Sequence, residues 1–157
     1  MSAAAFGLKI EREVMLMRAK DYLRQIRRID AEVDALHQQI SKLRMDAQGV
    51  RAMALTDMPK GGKGHDVVDT IADVADLQAM CADKMQQLVE MRRNAVNVII
   101  KIDRSELRAV LIMYYLNGKS WEQVADDLNY SMRAIFKLHG TALAEFDKVC
   151  SKVQYDL

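Results

Sequence analysis

Starting at Met15 and stepping alternately four and three residues, the chain presents Ala19, Tyr22, Ile26, Ile29, Val33, Leu36, Ile40, Leu43, Ala47, Val50 and Ala54. All are apolar apart from the tyrosine hydroxyl, and that alternation gathers them on one edge of an α-helix. A seam kept over this distance is the pattern of a helix wound against a partner helix, so the edge must be covered. Asp57-Met58-Pro59 and the glycines Gly61, Gly62 and Gly64 end it, since proline lacks the amide hydrogen a helix needs and glycine loses the most freedom on entering one. Helix resumes near Asp66, whose carboxylate suits the positive end of a helix. Val67, Ile71, Val74, Cys81, Met85, Leu88, Ala95, Ile99 and Ile102 then make a second, less regular stripe, interrupted at Gln78 and Arg92, which predicts a shift in phase.

The nearest partner for the first helix is the second, folded back across the connector at 57–65 as an antiparallel coiled-coil hairpin. At about 1.5 Å per residue the first helix reaches on the order of 70 Å and the second about 55 Å. The surplus, around Leu8 to Tyr22, either packs on the carboxy-terminal segment or pairs with another subunit as a homodimer. Composition agrees with a nearly all-helical chain: one proline and seven glycines leave little material for a loop-rich or all-β fold.

Cys81 and Cys150 lie far apart, with no CxxC and no histidine at ligand spacing, which argues against a metal site or a disulfide framework. No apolar run approaches the roughly 20 residues a membrane helix needs, and Met1 to Leu8 has no signal-peptide core, so a soluble cytoplasmic protein is expected. The three histidines, His37, His65 and His139, sit in unrelated segments without a nucleophile at motif spacing, and Asp126 and Asp127 read as a solvated helix face. The connector glycines lack the Lys-Ser/Thr end of a nucleotide loop. No catalysis and no cofactor are expected.

From Ser120 to Phe146 the chain reads SWEQVADDLNYSMRAIFKLHGTALAEF. Ser120 and Ser131 each stand where a helix should begin, their hydroxyls able to accept the unpaired amides of a first turn. The helix opened at Ser120 should stop at Leu128, because Asn129 accepts left-handed backbone geometry readily. Val124, Ala125 and Leu128 face inward from the first short helix; Ile135, Leu138, Ala142 and Phe146 do so from the second. Ala125 sits where the two approach most closely. This is a helix-turn-helix, the shape that lays its second helix in a DNA major groove.

The block from Asp103 to Phe146, containing ELRAVLIMYYLNGKSWEQVADDLNYSMRAIFKLHGTALAEF, resembles region 4 of bacterial RNA polymerase sigma factors. Arg108 to Leu116 is similar to the helix before the motif, Asn117 to Ser120 to the loop, Trp121 to Leu128 to the first motif helix, and Met132 onward to the recognition helix with its Ala142-Leu143 pair. The whole chain is similar to phage sigma-like regulators, the RinA and ArpU type of late transcription activators and their relatives, which also place a helix, a Pro-Gly-rich connector and a second helix before a YLNGKSWEQVA-like motif.

The resemblance implies an all-α protein: a long antiparallel helical hairpin over 1–102, then a sigma region 4-like helix-turn-helix domain over 103–157. It implies a phage-type transcription regulator in the cytoplasm of a bacterial host, with double-stranded DNA as partner and contact with RNA polymerase alongside or instead. Carried over by position, Arg133, Phe136 and Lys137 read bases, with Met132 at the exposed start of the helix, while Ser131 and Lys119, and less directly Arg108, touch phosphate. Phe136 stands where housekeeping sigma factors carry arginine, so it trades guanine readout for contact with a thymine methyl, or packs against the stem or a polymerase surface. Trp121 reads as core, and Tyr114 and Tyr115 as packing for the helix before the motif.

Charge leaves other readings open. Residues 103–157 hold 7 Lys and Arg against 8 Asp and Glu, whereas residues 1–64 hold 12 against 8. The DNA-reading segment is therefore not basic as a whole, which weakens affinity from counterion release. Arg18, Lys20, Arg24, Arg27 and Arg28 form either a solvated face paired with acids such as Asp21 and Asp30 or a phosphate contact, with Lys60 and Lys63 in the connector beside them. A structural DNA-binding adaptor, such as a small DNA-packaging (terminase) subunit, and a protein-binding module that has lost DNA contact remain alternatives.

Overall fold

A computed structural model describes residues 18–54 and 67–155, which are helical apart from short joints and contain no strand. The connector at 57–65, Met15 and the rest of the expected surplus before Arg18 lie outside the described residues, as do the side chains of Val50, Ala54 and Val67. The elements are α1 (Ala19–Ala54), α2 (Val67–Ile99), α3 (Ser105–Leu111), a π-helical turn (Ile112–Leu116), α4 (Trp121–Leu128) and α5 (Met132–Tyr155). Two compact units share them: Ile29–Gln87 is one, and the chain up to Arg28 with Leu88–Leu157 is the other. The expected division lay instead between residues 102 and 103.

In the unit Ile29–Gln87, α1 buries Ile29, Val33 and Ile40 and half-buries Leu36, Leu43 and Ala47, so the heptad edge read from the sequence is the covered one. The stripe on α2 runs differently from expectation. Thr70 and Cys81 are buried and Val74, Leu77 and Lys84 half-buried, a continuous four-three alternation with no phase shift, while Gln78 is exposed. Ile71 is 60% exposed and Met85 43%, although both were placed on the stripe. One residue turns a helix by about 100°, so Ile71 and Met85 sit one step past the covered edge. Apolar character misled because polar Thr70 and Lys84 hold the seam positions. The lysine stem is long enough to cover apolar surface while its Nζ reaches the Glu32 carboxylate at 2.7 Å.

In the other unit α1 buries a broader face, with Leu23 fully covered beside Ala19, Tyr22 and Ile26. A two-helix seam leaves a position like Leu23 in water; burial on all four requires cover from more than one side. The Ala19 amide donates to the Asp147 carboxylate on α5 at 2.8 Å, and the Tyr22 hydroxyl to the Met91 carbonyl on α2 at 3.1 Å. This part of the expected surplus packs on its own chain. Leu88, Met91, Ala95, Ile99 and Ile102 are buried along and just past α2.

The joint from α2 to α3 is pinned by Arg108, whose guanidinium donates to the carbonyls of Ile102 and Asp103. The side chain read as a less direct phosphate contact is thus spent on backbone oxygens. Burial on α3 falls at Leu107, Val110 and Leu111 and resumes at Tyr115 and Leu116, five residues on from Val110 and Leu111. Five residues is also the span of the hydrogen bond that closes the π turn, from the Asn117 amide to the Ile112 carbonyl at 2.9 Å.

Candidate functional site

The carboxy-terminal segment gathers its exposed chemistry around α4 and α5, and local sequence determines how those helices start and stop. Gly118 has φ +68°, a left-handed geometry that strains any L side chain, so the loop into α4 depends on glycine there. The Ser120 hydroxyl accepts the Gln123 amide and the Gln123 side chain accepts the Ser120 amide, a reciprocal cap worth about 1 kcal/mol or more. Asn129 ends the helix at φ 55°, and the Tyr130 amide returns to the Ala125 carbonyl at 3.0 Å. The Ser131 hydroxyl then accepts the Ala134 amide at 3.2 Å to open α5. Both caps, the stop at Leu128 and the left-handed asparagine follow the expectation.

Val110, Val124, Ala125 and Ile135 form the buried centre between α3, α4 and α5, with Met113, Tyr114, Trp121, Leu128, Met132 and Leu138 half-buried around it. Met132 therefore packs inward rather than standing exposed at the start of α5: it follows the cap directly, and Ile135 three residues on draws it toward the core. On the opposite face Arg133, Phe136, Lys137 and Gly140 are exposed, as the helical spacing predicts.

Ion pairing separates the cations of this segment. The Lys119 ammonium is paired with Asp127, which competes with a phosphate role, and Lys148 with Glu145 at 2.6 Å. Ser131 is exposed but its hydroxyl oxygen is occupied by the cap. Among the described residues no carboxylate pairs with Arg133 or Lys137, so both project into solvent beside Phe136 with their charge uncompensated.

An aromatic stack lies behind that face. Trp121 is stacked on Tyr114 with ring centroids 3.6 Å apart and planes within 11°. Phe136, itself half exposed, meets Trp121 edge-on at 5.5 Å. The Arg27 guanidinium lies 4.1 Å over the Tyr114 ring, and since Trp121 covers one face of that ring it must take the other. The same guanidinium donates to the carbonyls of Tyr114 at 3.2 Å and Lys119 at 3.4 Å, bracketing the loop into α4. Arg27 is thus not simply solvated. Nothing in local spacing announces this contact, because Arg27 and Tyr114 are 87 residues apart.

His139 completes the cluster, sharing a hydrogen bond of 2.9 Å with the Tyr115 hydroxyl and lying edge-on to Trp121 at 4.7 Å. Burial, then Lys20 and Arg24, hold the imidazole below its usual 6.5, so the ring is neutral at physiological pH. Burial pushes the Tyr115 phenol up to about 12, with Tyr114 adding to the shift and Arg24 and Arg27 opposing it. The Cys150 thiol goes up to about 11 for the same first reason, and both cysteines are free and buried. Among the described residues no cluster of His, Cys, Asp and Glu is placed to hold a metal ion, and no helix is long and apolar enough to cross a membrane.

The profile of a family described as "Protein of unknown function (DUF1492)" matches residues 50–147, more than half of the chain. The match takes in α2, α3, α4 and most of α5 and leaves Arg27 outside it. No curated protein and no solved structure matches the chain.

Proposed function

We propose, from the premise that this chain belongs to the DUF1492 family, that it is a DNA-binding transcription regulator of phage type. In this reading α4 and α5 are the two arms of a sigma region 4-like helix-turn-helix, and α1 and α2 form the antiparallel hairpin that carries it. One observation carries the proposal: among the described residues Arg133 and Lys137 stand unpaired on the solvent face of α5, beside an exposed Phe136, while Lys119 and Lys148 are bound to carboxylates. Leaving two cations uncompensated beside an exposed aromatic ring suits a surface that meets phosphates and base edges. The capped, sharply turned entry to α5 supports it, because a recognition helix must be presented at a fixed angle.

Promoter DNA is the partner proposed, with contact to RNA polymerase alongside. The even charge of residues 103–157 favours one rival, a module whose partner is another protein. The test is replacement of Arg133 and Lys137 together by alanine. Neither side chain belongs to the buried face, so the helical content and melting temperature should be unchanged. Binding to DNA recovered by crosslinking and sequencing from cells carrying the protein should weaken by roughly 1–3 kcal/mol at specific sites. Equal binding by parent and double variant at physiological salt would remove α5 as the reading helix and leave the protein-binding module.

A further inference from the structure

Phe136 is an apolar side chain exposed beside two cations on one helix face, yet it is not loosely held. Its ring rests edge-on against Trp121, Trp121 lies flat on Tyr114, and Tyr114 is backed by the Arg27 guanidinium, which is itself fixed by two backbone carbonyls. Three side chains in series thus carry the exposed ring on a rigid base. Such a ring loses little conformational freedom when it docks, the usual property of an aromatic anchor. What it can recognise follows from its surroundings. A phenyl ring offers no hydrogen bond, so it cannot read the donors and acceptors of a base edge. The major groove offers one apolar group, the thymine 5-methyl. Arg133 and Lys137, one turn apart along the neighbouring edge of the same exposed face, hold positions beside it for phosphate or base oxygen.

We propose that Phe136 is a specificity-determining residue that seats a thymine methyl group, and that Arg27 is the positioning residue that holds it through Tyr114 and Trp121. This rests on the DNA-binding reading above and adds the base that is read. Arg27 acts at a distance: it touches no base, and its contacts place the aromatic rings.

The test uses the full chain and two pools of duplex DNA with a randomised core, one synthesised with thymine and one with uracil, which differ only in the methyl groups. After selection, the most enriched thymine duplex is titrated in its thymine form and in forms carrying uracil at one position at a time. One position should show binding weakened about fourfold by loss of the methyl, the weight of a single buried methyl group. Phe136→Ala should bind the two forms alike, and Phe136→Leu, which restores an apolar surface, should recover part of the preference. Arg27→Lys keeps the charge but lacks the planar stack and the paired donors. It should lower the thymine-to-uracil ratio without changing the salt dependence, and should alter the emission of Trp121, the chain's sole tryptophan.

Equal affinity of the parent for thymine and uracil forms at every position overturns the inference while leaving DNA binding intact, as does a methyl preference that survives in Phe136→Ala. A loss in Arg27→Lys that is equal for both forms and flattens the salt dependence makes Arg27 a phosphate contact and overturns its positioning role. Enrichment from neither pool at low salt overturns the DNA-binding reading itself, and this inference with it.

Discussion

His139 shows how much a single residue's role depends on what surrounds it. In the sequence it is one of three scattered histidines; in the folded chain its ring is hydrogen-bonded to Tyr115 and pressed against Trp121. Burial and the positive charges of Lys20 and Arg24 disfavour the imidazolium, so the folded state takes up its proton at a lower pH than the unfolded state does. The unfolded state therefore binds more protons as pH falls below the ordinary histidine value, and stability that is complete above it is lost on acidification. The melting temperature should drop between about pH 7 and about pH 5, and His139→Gln, which keeps a hydrogen-bonding partner for Tyr115 but does not titrate, should remove that part of the drop. A pH profile of His139→Gln that superimposes on the parent's would mean the acid sensitivity lies elsewhere. The same scale holds what local sequence reveals well: Ser120, Gly118, Asn129 and Ser131 act within three or four residues of themselves, and each does in the structure what its chemistry predicts.

For an element, the outcome turns on which edge of a helix is covered. The heptad edge of α1 was readable because its apolar residues keep one spacing without interruption. The edge of α2 was misread because an exposed apolar residue, Ile71 or Met85, stands next to a covered polar one, Thr70 or Lys84. Two substitutions separate these cases. Ile29→Asp buries a carboxylate in the seam and should cost several kcal/mol, a large fall in melting temperature. Ile71→Asp, on the exposed edge, should fall within about 0.5 kcal/mol of the parent. Comparable losses from both, in urea or heat denaturation, would show that the exposed edge of α2 is covered in solution. The π turn is the other element that the sequence concealed. Its five-residue hydrogen-bond span leaves no composition signal, because Ile112, Met113, Tyr114, Tyr115 and Leu116 suit an α-helix as well.

At the scale of the molecule, the first turns of α1 belong with the carboxy-terminal helices. Ala19 donates to Asp147, Arg27 brackets the loop into α4, and Leu23 and Ile26 are fully buried in the same compact unit as α3, α4 and α5. A division at 102 and 103 cuts through that unit. A fragment comprising residues 103–157 should accordingly lose most of its cooperative thermal unfolding, since it would lose the contacts of Ala19 with Asp147 and of Arg27 with the loop into α4, together with Leu23, Ile26, Ala95 and Ile99, which are buried in the same unit. A circular-dichroism melt of the fragment within a few degrees of the full chain's, on the order of what a 1 kcal/mol change produces, would show that the segment folds alone.

Taken by itself, the sequence determined the helical class, the seam of α1, the starts and stops of α4 and α5, and the solvent face of α5 on which Arg133, Phe136 and Lys137 stand. These depend on periodicity, caps and backbone preference, which act over a few residues and leave their mark in residue spacing. The tertiary structure alone decided that Arg27 backs the Tyr114 and Trp121 stack, that Met132 turns inward, that Arg108 is spent on the joint before α3, and that His139 meets Tyr115. Those contacts join side chains from different helices. Their partners are set by which surfaces close on one another in the fold, and no local pattern encodes a neighbour that lies 87 residues away.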